Sequence, residues 1–138
     1  MAKDKYHDAV KTALIKDGWT ITHDPYPLEF NDLNTLQVDL GAEKMLAAQR
    51  HNQKIAVEIK SFSSVSMIKD FYLALGQYQA YKTALRQREP ERTLYLALPW
   101  DAYNNFFKRS LPMAIIAEVE LKLCIYDPSE EVITSWEK

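Results

Sequence analysis

The sequence predicts a mixed fold of the α/β or α+β class, a mixed central sheet flanked by helices. Three observations predict it. Stretches that alternate apolar and polar residues, Thr35 to Gly41 and Gln53 to Lys60, are interleaved with stretches, 3–17 and 67–87, whose apolar residues recur every three or four. Thr93 to Leu98 is almost wholly apolar, as a strand covered on both faces would be. A chain of 138 residues, 47% hydrophobic and 26% charged, is long enough to close one core without a disulfide or metal staple.

Residues 3–17 read as a helix, with Tyr6, Ala9, Val10, Ala13 and Leu14 on one face and Gly18 as its stop. Trp19 to His23 alternates as a short strand, and Asp24-Pro-Tyr-Pro27 breaks it; residues 28–34 read as loop. In the strand Thr35 to Gly41, Leu36, Val38 and Leu40 point one way and Gln37 and Asp39 the other. Residues 42–50 have helical propensity yet precede a turn signal at His51-Asn52, and we read them as the return arm of a bulged hairpin. In Gln53 to Lys60, Ile55, Val57 and Ile59 share one face and Ala56, Glu58 and Lys60 the other.

The serines of 61–66 offer an N-cap to the long helix 67–87, whose stripe reads Ile68, Phe71, Tyr72, Leu75, Tyr78. After strand 93–98, Asp101 could cap a short aromatic helix, 102–109, and Pro112 to Glu118 another turn. Leu121, Leu123 and Ile125 alternate, Asp127-Pro-Ser turns the chain, and 131–136 forms a last strand at a sheet edge. The order is α-β-β-β-α-β followed by α-β-β, in one domain spanning 1–138.

Seventeen basic and nineteen acidic residues leave a net charge of −2, so the chain does not coat nucleic acid by bulk charge. Cys124 stands alone and the three histidines are scattered, which leaves no disulfide and no zinc-ligand spacing. Three glycines are too few for phosphate-cradling loops. With neither a signal peptide nor a long apolar run, the expectation is a reduced, cytoplasmic protein with no membrane partner.

The chemistry concentrates in a few residues. Asp39 on one strand, with Glu58 and Lys60 on another, could project from one face of an antiparallel pair. Two carboxylates held together repel unless a cation neutralises them, and hard oxygen ligands suit Mg²⁺. A lysine beside them can orient a water or offset charge on a phosphate oxygen, the equipment of metal-assisted phosphodiester hydrolysis. Sharing one ion requires the three groups to lie within about 4–7 Å. Gln77 and Tyr81, four apart, could present an amide and a phenol from the following helix. Against this, Glu-x-Lys is a common spacing and on a wet strand face is a weak surface pair.

Asp39, Glu58-Ile-Lys60 and Gln77-Tyr-Gln-Ala-Tyr81 resemble the PD-(D/E)XK nuclease pattern with its downstream Q-x-x-x-Y helix motif. More narrowly, His7-Asp-Ala-Val10 with Asp17-Gly-Trp-Thr-Ile-Thr22, Val38-Asp-Leu-Gly-Ala-Glu-Lys44 and Ile55-Ala-Val-Glu-Ile-Lys-Ser-Phe62 resemble the XisH family, fdxN element excision controlling factors. The resemblance implies a restriction-endonuclease-like core and Mg²⁺ (or Mn²⁺) held by Asp39, Glu58 and the Ile59 carbonyl. It implies Lys60 as the catalytic lysine, with Gln77 and Tyr81 supporting the site. It also implies DNA and the companion factor XisI as partners. Val38 stands where the pattern has proline, and the first helix offers His7 or Asp8, not a glutamate, with Asp8 the supporting candidate. Two functions follow: a metal-dependent DNA endonuclease acting in element excision, or a silent binding module on the same fold.

Other candidates read as structural: His51 solvated in a turn, His23-Asp24 a strand end, Glu43 a surface acid, Cys124 inert. Phe106 and Phe107, adjacent on a helix, are expected not to face one core. Together with Tyr103 and Trp136 they suggest a homodimer or heteromer interface. Lys44, Arg50 and Lys54 around the hairpin, Lys60 at the site, and Lys82, Arg86 and Arg88 on the long helix supply local positive charge for DNA.

Overall fold

The computed structural model describes residues 5–27 and 45–138. Among them the order is α1 (His7–Lys16), β1 (Thr20–His23), β2 (Met45–Arg50), β3 (Gln53–Ile59), α2 (Met67–Arg88) and β4 (Arg92–Pro99). A short α3 (Trp100–Ala102) runs into a π-helical turn, Tyr103–Phe107, followed by α4 (Ser110–Val119), β5 (Leu123–Asp127) and β6 (Val132–Glu137). The strand at 35–41, with Asp39, and Glu43 and Lys44 lie outside the described residues.

The described strands form one six-stranded mixed sheet in chain order, β1 to β6. β3, β4 and β5 run parallel to their neighbours in that trio, while β1, β2 and β6 join antiparallel. Over its described part, 45–50, the stretch read as a return arm is a strand, and it forms a hairpin with β3: Arg50 pairs with Gln53 across His51-Asn52. His51 takes φ 55°, the left-handed backbone that so tight a turn requires. The edge position of β6 also agrees with the sequence.

Alternation sorts each central strand between two cores. Ala56, Leu94, Leu96, Leu98, Leu123 and Ile125 join Phe71, Tyr78, Tyr81 and Leu85 of α2 and the π-turn phenylalanines. Ile55, Val57, Ile59, Tyr95, Ala97, Cys124 and Tyr126 join Val10 and Leu14 of α1 with Trp19. Helices therefore cover both faces, and β4 reads as a continuous apolar run because neither face meets water.

Three expectations are corrected. The packed face of α2 is Phe71, Ala74, Gln77, Tyr78, Tyr81, Ala84 and Leu85, while Ile68 and Tyr72 are exposed. Bulk misled the sequence reading, because the helix seats its alanines against the sheet and turns larger apolar groups outward. Phe106 and Phe107 do bury in one core. They stand in a π-helical turn at the end of an element, where Phe107 meets Phe62 and both meet Phe71. Trp136, half-buried, packs on Trp19 and Tyr95. Asp101 is not an N-cap, since it falls inside α3, where Pro99 holds the capping position.

Candidate functional site

Glu58 sits near the carboxyl end of β3, in register with Met45 on β2 and Leu96 on β4. Its neighbour two residues back, Ala56, belongs to the α2-side core, and so do Met45 and Leu96. Period-two alternation therefore sets Glu58 on that face, at 2% exposure. The hydroxyl of Tyr78, which donates to the Leu94 carbonyl at 2.9 Å, is near enough to feel it. Burial first, and then the Glu58 charge, push the Tyr78 phenol up to about 12, against the opposing hydrogen bond from the Lys122 N–H. A buried carboxyl is costly unless it is paired, hydrogen-bonded or protonated.

Gln77 and Tyr81 are buried on the face of α2 that covers this side of the sheet. The Gln77 Oε1 accepts no hydrogen bond among the described residues, although it is shielded from solvent. Glu58 and Gln77 are hard oxygen donors of the kind a divalent cation takes. The described residues hold no cluster of three or more His, Cys, Asp or Glu. The second carboxylate of the expected set, Asp39, lies outside them.

Lys60 follows β3 and is half-buried. Its N–H donates to Ala97 at 3.0 Å, and its carbonyl accepts from the Tyr126 hydroxyl at 3.3 Å, so its backbone is held by β4 and β5. Next, Phe62 adopts φ 53°, an unfavourable backbone for a bulky residue. Its ring is buried edge-on to Phe107 at 5.0 Å, and that packing holds the turn. Lys60, Ser61, Phe62, Ser63, Ser64, Asp70 and Leu73 line a cavity of about 190 Å³ beside the start of α2. This mouth opens beyond the carboxyl ends of the parallel strands, where open α/β sheets place ligands. The Ser66 hydroxyl accepts from Lys69 N at 3.4 Å, the N-cap that the serine run offered.

Asp8 is exposed in the first turn of α1, whose packed residues belong to the opposite core. That end of α1 still approaches the site, for Tyr6 meets Tyr126 at 6.0 Å between ring centroids.

The described positive side chains near the hairpin and on α2 stand apart from Lys60. Arg50 and Lys54 flank the β2–β3 turn, and Lys82 and Arg86 line a cavity of about 150 Å³ with Arg92 and Lys122 near the start of β4. Both groups sit at the amino end of β3 and β4, one strand length, or about 20 Å, from Lys60. Arg50 is engaged by Asp17 and the Trp19 ring, and Lys54 pairs with Glu91 at 3.8 Å. A surface cavity of about 880 Å³ also opens at that end, between Asp17, Thr20, Arg50 and Gln53. It holds none of the candidate chemistry.

One polar cluster escaped the sequence reading. His7, 1% exposed, bonds Asp24 at 2.8 Å, and Lys11 donates to the same carboxylate at 2.9 Å. Burial pushes Asp24 up, but the hydrogen bonds from Lys11 and His7 together outweigh it and hold the carboxyl below its usual range. No local spacing signals a pair seventeen residues apart. Cys124 is buried, and burial raises its thiol well out of the reactive range, as expected of an inert side chain. No helix among the described residues is long and apolar enough to cross a membrane.

The family model described as XisH protein matches residues 1–134. The crystal structure of an XisH family protein from Nostoc punctiforme PCC 73102 is similar, with a TM-score of 0.89 and 46% identity over 98% of this chain and 100% of that one. So is the crystal structure of a fdxN element excision controlling factor protein from Anabaena variabilis, with a TM-score of 0.88 and 46% identity over 96% of this chain and 98% of that one. No curated protein matches the chain.

Proposed function

This chain belongs to the XisH family, and from that premise we propose that it is a controlling factor for programmed DNA element excision. On this reading it carries a metal-dependent, nuclease-like site of PD-(D/E)XK type on a restriction-endonuclease-like core. The observation that carries the reading is Glu58: a carboxylate buried on a central strand, two residues before Lys60, on the face covered by Gln77 and Tyr81. Burying an acid there costs stability, which supports a binding role for it.

Asp39, Glu58 and the Ile59 carbonyl would hold Mg²⁺ or Mn²⁺, which when bound supplies Lewis-acid polarisation of a phosphodiester. Lys60, its backbone held by Ala97 and Tyr126, orients a water or offsets charge on a phosphate oxygen. Gln77 and Tyr81 would support the carboxylate side of the site from α2; Asp8, exposed on α1 beside the opposite core, is the supporting acid that the family resemblance offers. DNA is the substrate class, XisI the companion, and the cytoplasm the compartment this reading assigns.

The placement of the basic side chains favours a second reading. Lys82 and Arg86 stand a strand length from Lys60, so a phosphate backbone at the site does not reach them without spanning the molecule. This suits a catalytically silent module that docks DNA or XisI. Calorimetric titration of Mg²⁺ and Mn²⁺ into wild type, Asp39→Ala and Glu58→Ala, beside cleavage assays on duplex DNA, separates the two. Binding lost in both variants, with cleavage in wild type, supports the nuclease. Equal heats in all three proteins remove the metal site and leave the docking module.

A further inference from the structure

α4 is the element whose composition and burial disagree most. Its ten residues, SLPMAIIAEV, carry one charge, yet only Pro112 is fully buried. Leu111 is 57% and Met113 45% exposed, and Ala114 and Ala117 also face outward. Ile115, Ile116 and Val119 lean half-buried on the α2-side core. A helix this apolar all round is normally enclosed.

The flanking charges are also reversed. Lys108 and Arg109 precede the helix, and Glu118 and Glu120 close it, all exposed. Cations at the N-terminus and anions at the C-terminus oppose the helix dipole. Among the described residues, none of these four forms an ion pair. Arg109 donates instead to the Asn105 carbonyl at 3.1 Å.

A segment that reads cation, apolar, anion is its own complement when reversed. We propose that α4 is an isologous interface on which a second copy of this chain docks antiparallel, about a two-fold axis near Ala114. The axis sets Leu111 against Ala117, a large side chain over a small one, and Lys108 and Arg109 against Glu120 and Glu118. Each match occurs twice by symmetry. The alanines at 114 and 117 let the two helices approach closely. The reversed charges, unfavourable within one chain, become favourable between two. A ten-residue helix spans only about 15 Å, too short to bury the roughly 800 Å² per partner of a standard interface, so the dimer is of micromolar strength and salt-sensitive.

Sedimentation velocity from about 1 μM to several hundred μM tests this, on the scale where such a contact dissociates. Wild type shifts from monomer to dimer across the range. The acidic variant, Lys108→Glu with Arg109→Glu, and the basic variant, Glu118→Lys with Glu120→Lys, each lose at least about tenfold in self-association, one order of magnitude being about 1.4 kcal/mol. Mixed one to one, they recover the dimer as a heterodimer, because each end then meets its opposite. Both variants align their charges with the dipole, so thermal melts at or above the wild-type midpoint show that lost association is not lost folding. A wild type that stays monomeric throughout, a dimer indifferent to both variants, or a mixture that fails to recover overturns the proposal.

Discussion

Asp17 and Glu58 show how differently the two faces of the sheet handle an acid. Asp17, at the end of α1, takes hydrogen bonds from the indoles of Trp19 and Trp136 at 3.2 and 3.3 Å and pairs with Arg50 at 3.2 Å. It is about one-third exposed, with a side-chain exposure of 34%, so it ties the rim of its face together while keeping water. Glu58 lies inside the other face at 2% exposure, between Met45 and Leu96. A rim acid fastens neighbouring elements; on the function proposed above, the core acid serves binding.

Replacing these acids should therefore have opposite consequences. Glu58→Ala is expected to weaken Mg²⁺ or Mn²⁺ binding by more than about 100-fold, since even outer-shell changes cost 10–100-fold. Asp17→Ala should leave the metal isotherm unchanged. Equal losses in calorimetry would erase the distinction. The next effect in size is stability: Phe107→Ala, fully buried on the α2 face, should cost about 3–5 kcal/mol in urea unfolding. Trp136→Ala, half-buried on the opposite face, should cost less; the reverse order would make the α1 face the firmer one.

Asp17→Ala should itself cost about 1–3 kcal/mol, because two indole N–H groups lose their acceptor. The smallest effect is pH-dependent. The Asp24 carboxyl is held below its ordinary value of 3.8, so its stabilisation is complete above that value and is lost as pH falls through the lower folded one. Acid melts of Asp24→Asn should show a shallower loss of stability below pH 3.8 than wild type. Identical slopes would mean that the His7–Asp24–Lys11 cluster contributes nothing to acid stability.

The sequence alone determined the elements whose cause is local. Period-two alternation in 53–60 and the apolar run 93–98 dictate strands, and a serine ahead of a periodic stretch starts α2, because backbone geometry decides which side chains share a face. It also singled out Glu58 and Lys60, since charges within an apolar strand are visible as such, and the family wording lay in contiguous segments. What only the tertiary structure decided concerns partners far apart in the chain. Which stripe of α2 is buried depends on the sheet beneath it, and both Phe106 and Phe107 are buried because the π-turn packs them against Phe71. The same holds for the union of His7 with Asp24, and for the distance between the basic groups and Lys60. Contacts between residues remote in sequence have no local pattern to announce them, because they are chosen by the packing of whole elements.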